Sequence, residues 1–196
     1  MADLVETLSP AQLSTRSLCT AWTVHQVAGH LLMPLVTPMP RVLVSLAAHR
    51  FNFDRANIAL STAVARRPVH EIVAGLRDNA ESRFHPPRLG FEAPLTDLLV
   101  HQQDIRRPLD LGHDLLLDHL VVGLDFLHAR ATGHPADRNP YAGVRLVAED
   151  IDWTAGEGPE VIAHGEALLL LLSGRLVVLD ELTGPGVDQV RSRLSG

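Results

Sequence analysis

Residues 22–32 read Trp22-Thr23-Val24-His25-Gln26-Val27-Ala28-Gly29-His30-Leu31-Leu32. Thr23 is a good N-cap residue and Gln26 follows three positions later, the spacing of a capping box in which each side chain satisfies the other's backbone N–H. Trp22 and Val27 take the N′ and N4 positions of a hydrophobic staple across that cap. A helix therefore starts at Val24. Pro34, Pro38 and Pro40 interrupt the pattern, which predicts a helix over 24–33, a kink, and a second helical stretch over 41–50.

The reading extends outward in both directions. Residues 2–8 form a short helix closed by Ser9-Pro10, and residues 10–13 add a turn. Residues 57–66 read as helix, Pro68 fits the first turn of another that runs to about Phe84, and Pro94 opens a helix over 95–107 that Pro108 closes. Residues 115–131 make a further apolar helix. Everything up to about residue 134 is thus expected to be helical, which implies a bundle. Beyond it the composition changes: residues 141–150, 151–154 and 159–163 carry β-branched and aromatic residues in short, partly alternating pieces. Residues 165–172 and 187–194 return to helix. The fold class expected is mostly α, a helical bundle over 1–134 followed by a small α+β module over 140–196.

The chain has 196 residues, 46% hydrophobic and 20% charged, which is ordinary globular composition. The net charge is −6, from 23 acids against 17 bases. No basic run is long enough to track a phosphate backbone, so no nucleic-acid partner is expected. All the bases are arginine, which removes lysine Schiff-base chemistry and a Walker A lysine. Cys19 is the single cysteine and cannot form an internal disulfide. The first residues lack a secretory pattern, and the longest strongly apolar run, 167–172, is far shorter than the roughly 20 residues a bilayer needs. A cytoplasmic protein without a membrane span is expected.

The helix over 95–107 carries Asp97, His101 and Asp104 at i, i+4 and i+7, a polar stripe beside an apolar face of Leu95, Leu98, Leu99 and Ile105. Two residues at i and i+4 can share one metal ion. Chance alone supplies roughly one acid-to-His pair at this spacing in such a composition, so the pattern by itself also fits an ordinary polar pair. Of the alternatives, Glu81/His85 runs into Pro86-Pro87, and Glu160/His164 lies in a strand-like segment whose i, i+4 residues are about 13 Å apart. Only Asp97/His101 has a whole helix beneath it. A third ligand has to come from another helix, and His30, about two turns into the best-capped one, is the candidate. His25 is rotated about 140° away from it. A lone histidine among leucines also fits a hydrogen-bonded core residue.

Three groups of residues carry a resemblance. They are Trp22-Thr23-Val24-x-x-Val27-Ala28-x-His30-Leu31 with the preceding Ser17-Leu18-Cys19, the segment Asp97-x-x-x-His101-x-x-Asp104-Ile105-Arg106-Arg107-Pro108, and the ending Gly165-x-Ala167-Leu168, Gly174-Arg175, Leu179-x-x-Leu182-x-Gly184-x-Gly186-Val187. Spread in order over nearly the whole chain, they resemble the mycothiol-dependent maleylpyruvate isomerase family, related to the DinB-like metal-binding four-helix bundles. The resemblance implies that His30, Asp97 and His101 hold a divalent ion, most simply Zn2+, and that the thiol of mycothiol occupies its open position as thiolate. It implies an isomerase or transferase in which the thiolate adds to the double bond of a small anionic electrophile, permits rotation and leaves again.

By position, Arg175 matches the arginine expected near the substrate carboxylate, and its fork suits that group. A helix-end arginine pairing with a nearby acid is the other reading. Arg106 and Arg107 follow the ligand helix and are assigned to cofactor binding, with a solvated helix end as the alternative. Asp104 is assigned to support an imidazole N–H, with an ion pair to Arg106 or Arg107 as the other reading. Cys19 reads as a small buried residue rather than a nucleophile.

Two departures stand out. Position 97 is Asp where the isomerases usually have Glu, which leaves metal identity open. The first helix is short for the family, which implies lost turns or a recorded start downstream of the true one. The expected partners are a small-molecule thiol and an anionic substrate. Bundles of this type often form homodimers, though no uninterrupted heptad seam argues for one here. Two other functions fit the same residues: a non-catalytic metal-binding or regulatory helical domain, and a hydrolase using metal-activated water.

Overall fold

The computed structural model describes residues 1–133 and 138–194. It is mostly helical, with ten α-helices and one three-stranded sheet among the described residues. No helix among them is long and apolar enough to cross a membrane. The expected end of the bundle at residue 134 lies outside the described residues. The chain divides into two compact units, the first made of Met1–Pro86 with His101–Gly112, the second of Pro87–Val100 with the chain from His113 onward.

In the first unit α1 (Ala2–Thr7) and α2 (Pro10–Ser14) precede the central α3 (Val24–Val36), and α4 (Met39–Ala48), α5 (Phe53–Val64) and α6 (Val69–Asp78) follow. Both α2 and α3 open on complete capping boxes, Ser9 with Gln12 and Thr23 with Gln26. Helix α3 continues through Pro34 to Val36 rather than stopping at Met33, because in the last turn the missing proline N–H removes only one ladder bond. Helix α5 starts earlier than residue 57, where the Asn52 side chain accepts from Arg55 N at 2.9 Å. Helix α6 ends at Asp78 instead of near Phe84. Asn79 turns its amide back to donate to Gly75 O at 2.8 Å, occupying a carbonyl at the helix end.

The core of this unit gathers Val5, Leu13, Trp22, Val24, Val27, Leu32, Leu60, Val64, Ile72 and Ile105. Helix α3 lies against α5 and α6. Gly29 sets the α3/α5 spacing: a Cβ there would lie 2.7 Å from Ala65 Cβ and 2.9 Å from Ala65 Cα. Only glycine allows this approach.

Helix α7 (Glu92–Arg106) gives residues 92–100 to the second unit and 101–106 to the first. It starts before Pro94, which is tolerated because first-turn N–H groups have no intrahelical acceptor. A 3-10 turn, Arg107–Leu109, closes it.

In the second unit α8 (Leu117–Thr132) packs on α9 (Gly165–Leu172), whose residues 167–171 are wholly buried. A helix that is apolar all round has to be covered on every side. Strands β1 (Arg145–Ala148), β2 (Thr154–Gly156) and β3 (Glu160–Ala163) form a sheet in the order β2-β1-β3, antiparallel between β1 and β2 and parallel between β1 and β3. Register pairs Leu146 with Ala155 and Val161, and Leu146, Ala148, Val161 and Ala163 are buried in strand alternation. Strands β1 and β3 lie within the expected pieces 141–150 and 159–163, whereas β2 is displaced from the expected 151–154 to Thr154–Gly156 and shares only Thr154 with it. Helix α10 (Val187–Leu194) ends the described chain.

Candidate metal centre

The Thr23 capping box fixes where α3 begins and so the heading of every later side chain on it: Thr23 N donates to Gln26 Oε1 at 2.9 Å and Gln26 N donates back to Thr23 Oγ1. Two turns on, His30 is 8% exposed. The Trp22 indole stacks on its ring, centroids 4.5 Å apart and planes 24° apart. Trp22 therefore does more than staple the helix entrance. His30 Nδ1 lies 3.2 Å from the hydroxyl of Ser61, a fully buried residue of α5.

The second imidazole belongs to α7. His101 is 6% exposed, and its ring centroid lies 4.7 Å from that of His30 with the planes at 70°. Its Nδ1–H donates to Asp104 Oδ2 at 2.8 Å, and the Asp104 carboxyl is wholly buried. One turn before His101 on the same helix stands Asp97, which is exposed. His30, Asp97 and His101 each bring one ligand atom to within 4.8 Å of one another.

This donor set fits a divalent cation. In each imidazole Nδ1 is engaged by a hydrogen-bond partner, so Nε2 is the nitrogen a metal takes, and a carboxylate completes a trio of the N/O type that Zn2+ and its neighbours prefer. Hydrogen bonding of the distal ring nitrogen is the usual support of histidine ligands. The Trp22 indole N–H is buried with no acceptor among the described residues, a condition that in native proteins calls for an explanation such as a functional role.

The chain matches the family model described as mycothiol maleylpyruvate isomerase N-terminal domain over residues 1–106. The chain belongs to that family. No curated protein and no solved structure matches it. In this mycothiol maleylpyruvate isomerase family member the matched span contains His30, Asp97, His101 and Asp104 and ends at Arg106. Family and cluster together suggest use of a divalent metal and of mycothiol.

The other expected residues sit as follows. Arg106 Nη1 donates to Gly112 O at 2.8 Å and braces the chain after α7. Arg107 opens the 3-10 turn and is partly buried. Arg175, in the second unit beyond the matched span, is partly buried, and its Nη1 donates to Ser173 O at 2.8 Å. His25 Nε2 pairs with Arg67 O at 3.2 Å, apart from the trio. Cys19 lies in the 15–22 loop, partly buried, where its carbonyl accepts from Ser17 Oγ and Trp22 N.

The sequence carries no signal for the role of Ser61 or for the stacking of Trp22 on His30. A serine within a helix carries no signal of its own, since its partner is 31 residues away. Trp22 stood in plain view, but its staple role already accounted for it.

Proposed function

We propose that this chain is a divalent-metal-dependent enzyme that uses a low-molecular-weight thiol, mycothiol, for isomerisation or transfer on a small anionic electrophile. The observation that carries the reading is the approach of His30, Asp97 and His101 to within 4.8 Å, with both imidazoles braced at Nδ1. Zn2+ is the metal this donor set suits best. When bound, such an ion lowers the pKa of a coordinated thiol into the neutral range, as it does for water.

The chain's own residues then have distinct tasks. His30 and His101 supply neutral nitrogen donors, so the only charge given up by the ligand trio is that of Asp97. Asp104 holds the His101 proton at Nδ1 and adds a buried negative charge one shell out. Arg175 is assigned the substrate carboxylate and Arg106 and Arg107 the polar groups of the thiol cofactor, assignments that rest on the family resemblance. A cytoplasmic location accords with this reading, because a thiol cofactor needs a reducing compartment.

The test is calorimetric. Purified protein loaded with zinc should bind mycothiol tightly, the metal-free protein should not, and His101→Ala should abolish the binding. Loaded wild-type protein that takes up no thiol contradicts the proposal.

A further inference from the structure

We infer that Ser61 is a positioning residue for the metal centre: its hydroxyl holds the His30 ring so that Nε2 is presented to the cation. The inference rests on the metal-site reading above and concerns a residue outside the ligand set.

A neutral imidazole has one N–H and one lone pair. If Nε2 gives its lone pair to a metal, Nδ1 carries the proton and needs an acceptor. Ser61 Oγ stands 3.2 Å from that nitrogen, and Ser61 is wholly buried. No water reaches a wholly buried hydroxyl from bulk, so the residue at position 61 decides what Nδ1 meets on that side.

The backbone explains why so short a side chain suffices. Gly29, the neighbour of His30, brings α3 within van der Waals reach of Ala65, four residues beyond Ser61, leaving no room for a Cβ. At that spacing a serine reaches the imidazole. Ser61 also interrupts an otherwise apolar buried set on α5, Ala56, Leu60 and Val64, where a hydrophobic residue would be the expected occupant. The Trp22 stack at 4.5 Å restricts the ring plane, and the hydroxyl then fixes which edge faces Ser61.

The two histidines are held differently. Asp104 accepts only, so it imposes the Nδ1–H tautomer on His101 whether or not a metal is present. A hydroxyl donates or accepts, so Ser61 accommodates either tautomer of His30. His101 is the preset ligand and His30 the adjustable one.

The experiment titrates Co2+ into the metal-free full chain, reads visible d–d absorption, and records metal-free melting alongside. Ser61→Ala should bind Co2+ about 10- to 100-fold more weakly than wild type, with altered bands. Ser61→Thr and Ser61→Val are nearly the same shape and differ in the hydroxyl, so their comparison removes packing from the answer. Ser61→Thr should bind Co2+ more tightly than Ser61→Val by a similar factor, a gap in metal affinity read beside each variant's own metal-free melting temperature, which the loss of the buried hydroxyl–imidazole hydrogen bond lowers in Ser61→Val. Wild-type affinity and spectrum in Ser61→Ala, or equal Co2+ affinity in the Thr and Val variants, overturns the role of Ser61. Wild-type protein that takes up no Co2+ overturns the metal reading and this inference with it.

Discussion

His101 and Asp104 face each other across one turn of α7, Nδ1 to Oδ2 at 2.8 Å, with the carboxyl wholly buried. Such a carboxylate fixes the ring's tautomer and orientation and raises its basicity as a ligand. Asp104→Asn should weaken zinc binding about 10- to 100-fold, because a carboxamide can turn its NH2 toward Nδ1 and favour the wrong tautomer. Zinc affinity by competition with a chromogenic chelator reads this. An unchanged affinity would reduce Asp104 to a packing residue.

Asp97 is exposed, so substituting it tests ligation with little disturbance of packing. Asp97→Ala should bind zinc much more weakly than wild type while the metal-free protein still folds cooperatively in urea denaturation. Asp97→Glu should retain binding, since one added methylene still lets a carboxylate reach from the same turn. Loss of zinc in Asp97→Glu together with retention in Asp97→Ala would remove position 97 from the ligand set.

What the sequence disclosed about this centre was local. The Thr23/Gln26 box set the start of α3, and the four-residue spacing of Asp97 and His101 put both on one stripe of α7, because cap and helix geometry act within a turn or two. The mostly helical fold with a late, small sheet followed from proline positions and from the change of period near residue 140. Helix ends were less legible. Asn79 stops α6 through its own side chain, and Asn52 starts α5 one turn early. Ser61 could not be read at all, since its value to His30 exists only after α3 and α5 have packed at Gly29.

Gly29→Ala tests that packing. Alanine is worth about 1 kcal/mol more than glycine in a helix interior. Here its Cβ would lie 2.9 Å from the Ala65 backbone, which cannot rotate aside. Overpacking should win, with a net loss of about 1–3 kcal/mol in urea denaturation and a weaker zinc affinity through displacement of His30. A more stable Gly29→Ala protein would mean that α3 and α5 lie further apart.

Tyr141 is the only tyrosine, and its hydroxyl donates to Leu171 O at 2.6 Å. Burial pushes its pKa from 10.0 up to about 12. The neutral form is favoured in the folded chain, so the associated stability is intact below pH 10 and declines as pH rises toward 12, where the unfolded chain ionises first. Tyrosinate absorbance therefore reports one group, and its midpoint should lie above 10.0 and coincide with loss of near-ultraviolet circular dichroism. Tyr141→Phe should remove that slope. An ordinary midpoint in folded protein would place Tyr141 in solvent.

The most direct test is elemental analysis of protein purified without chelator and of the same protein dialysed against zinc. The account predicts a single equivalent of divalent transition metal in wild type, released by a strong chelator and missing from folded His30→Ala and His101→Ala. Wild-type protein that holds no metal after zinc dialysis, or histidine variants that keep the full equivalent, would contradict it.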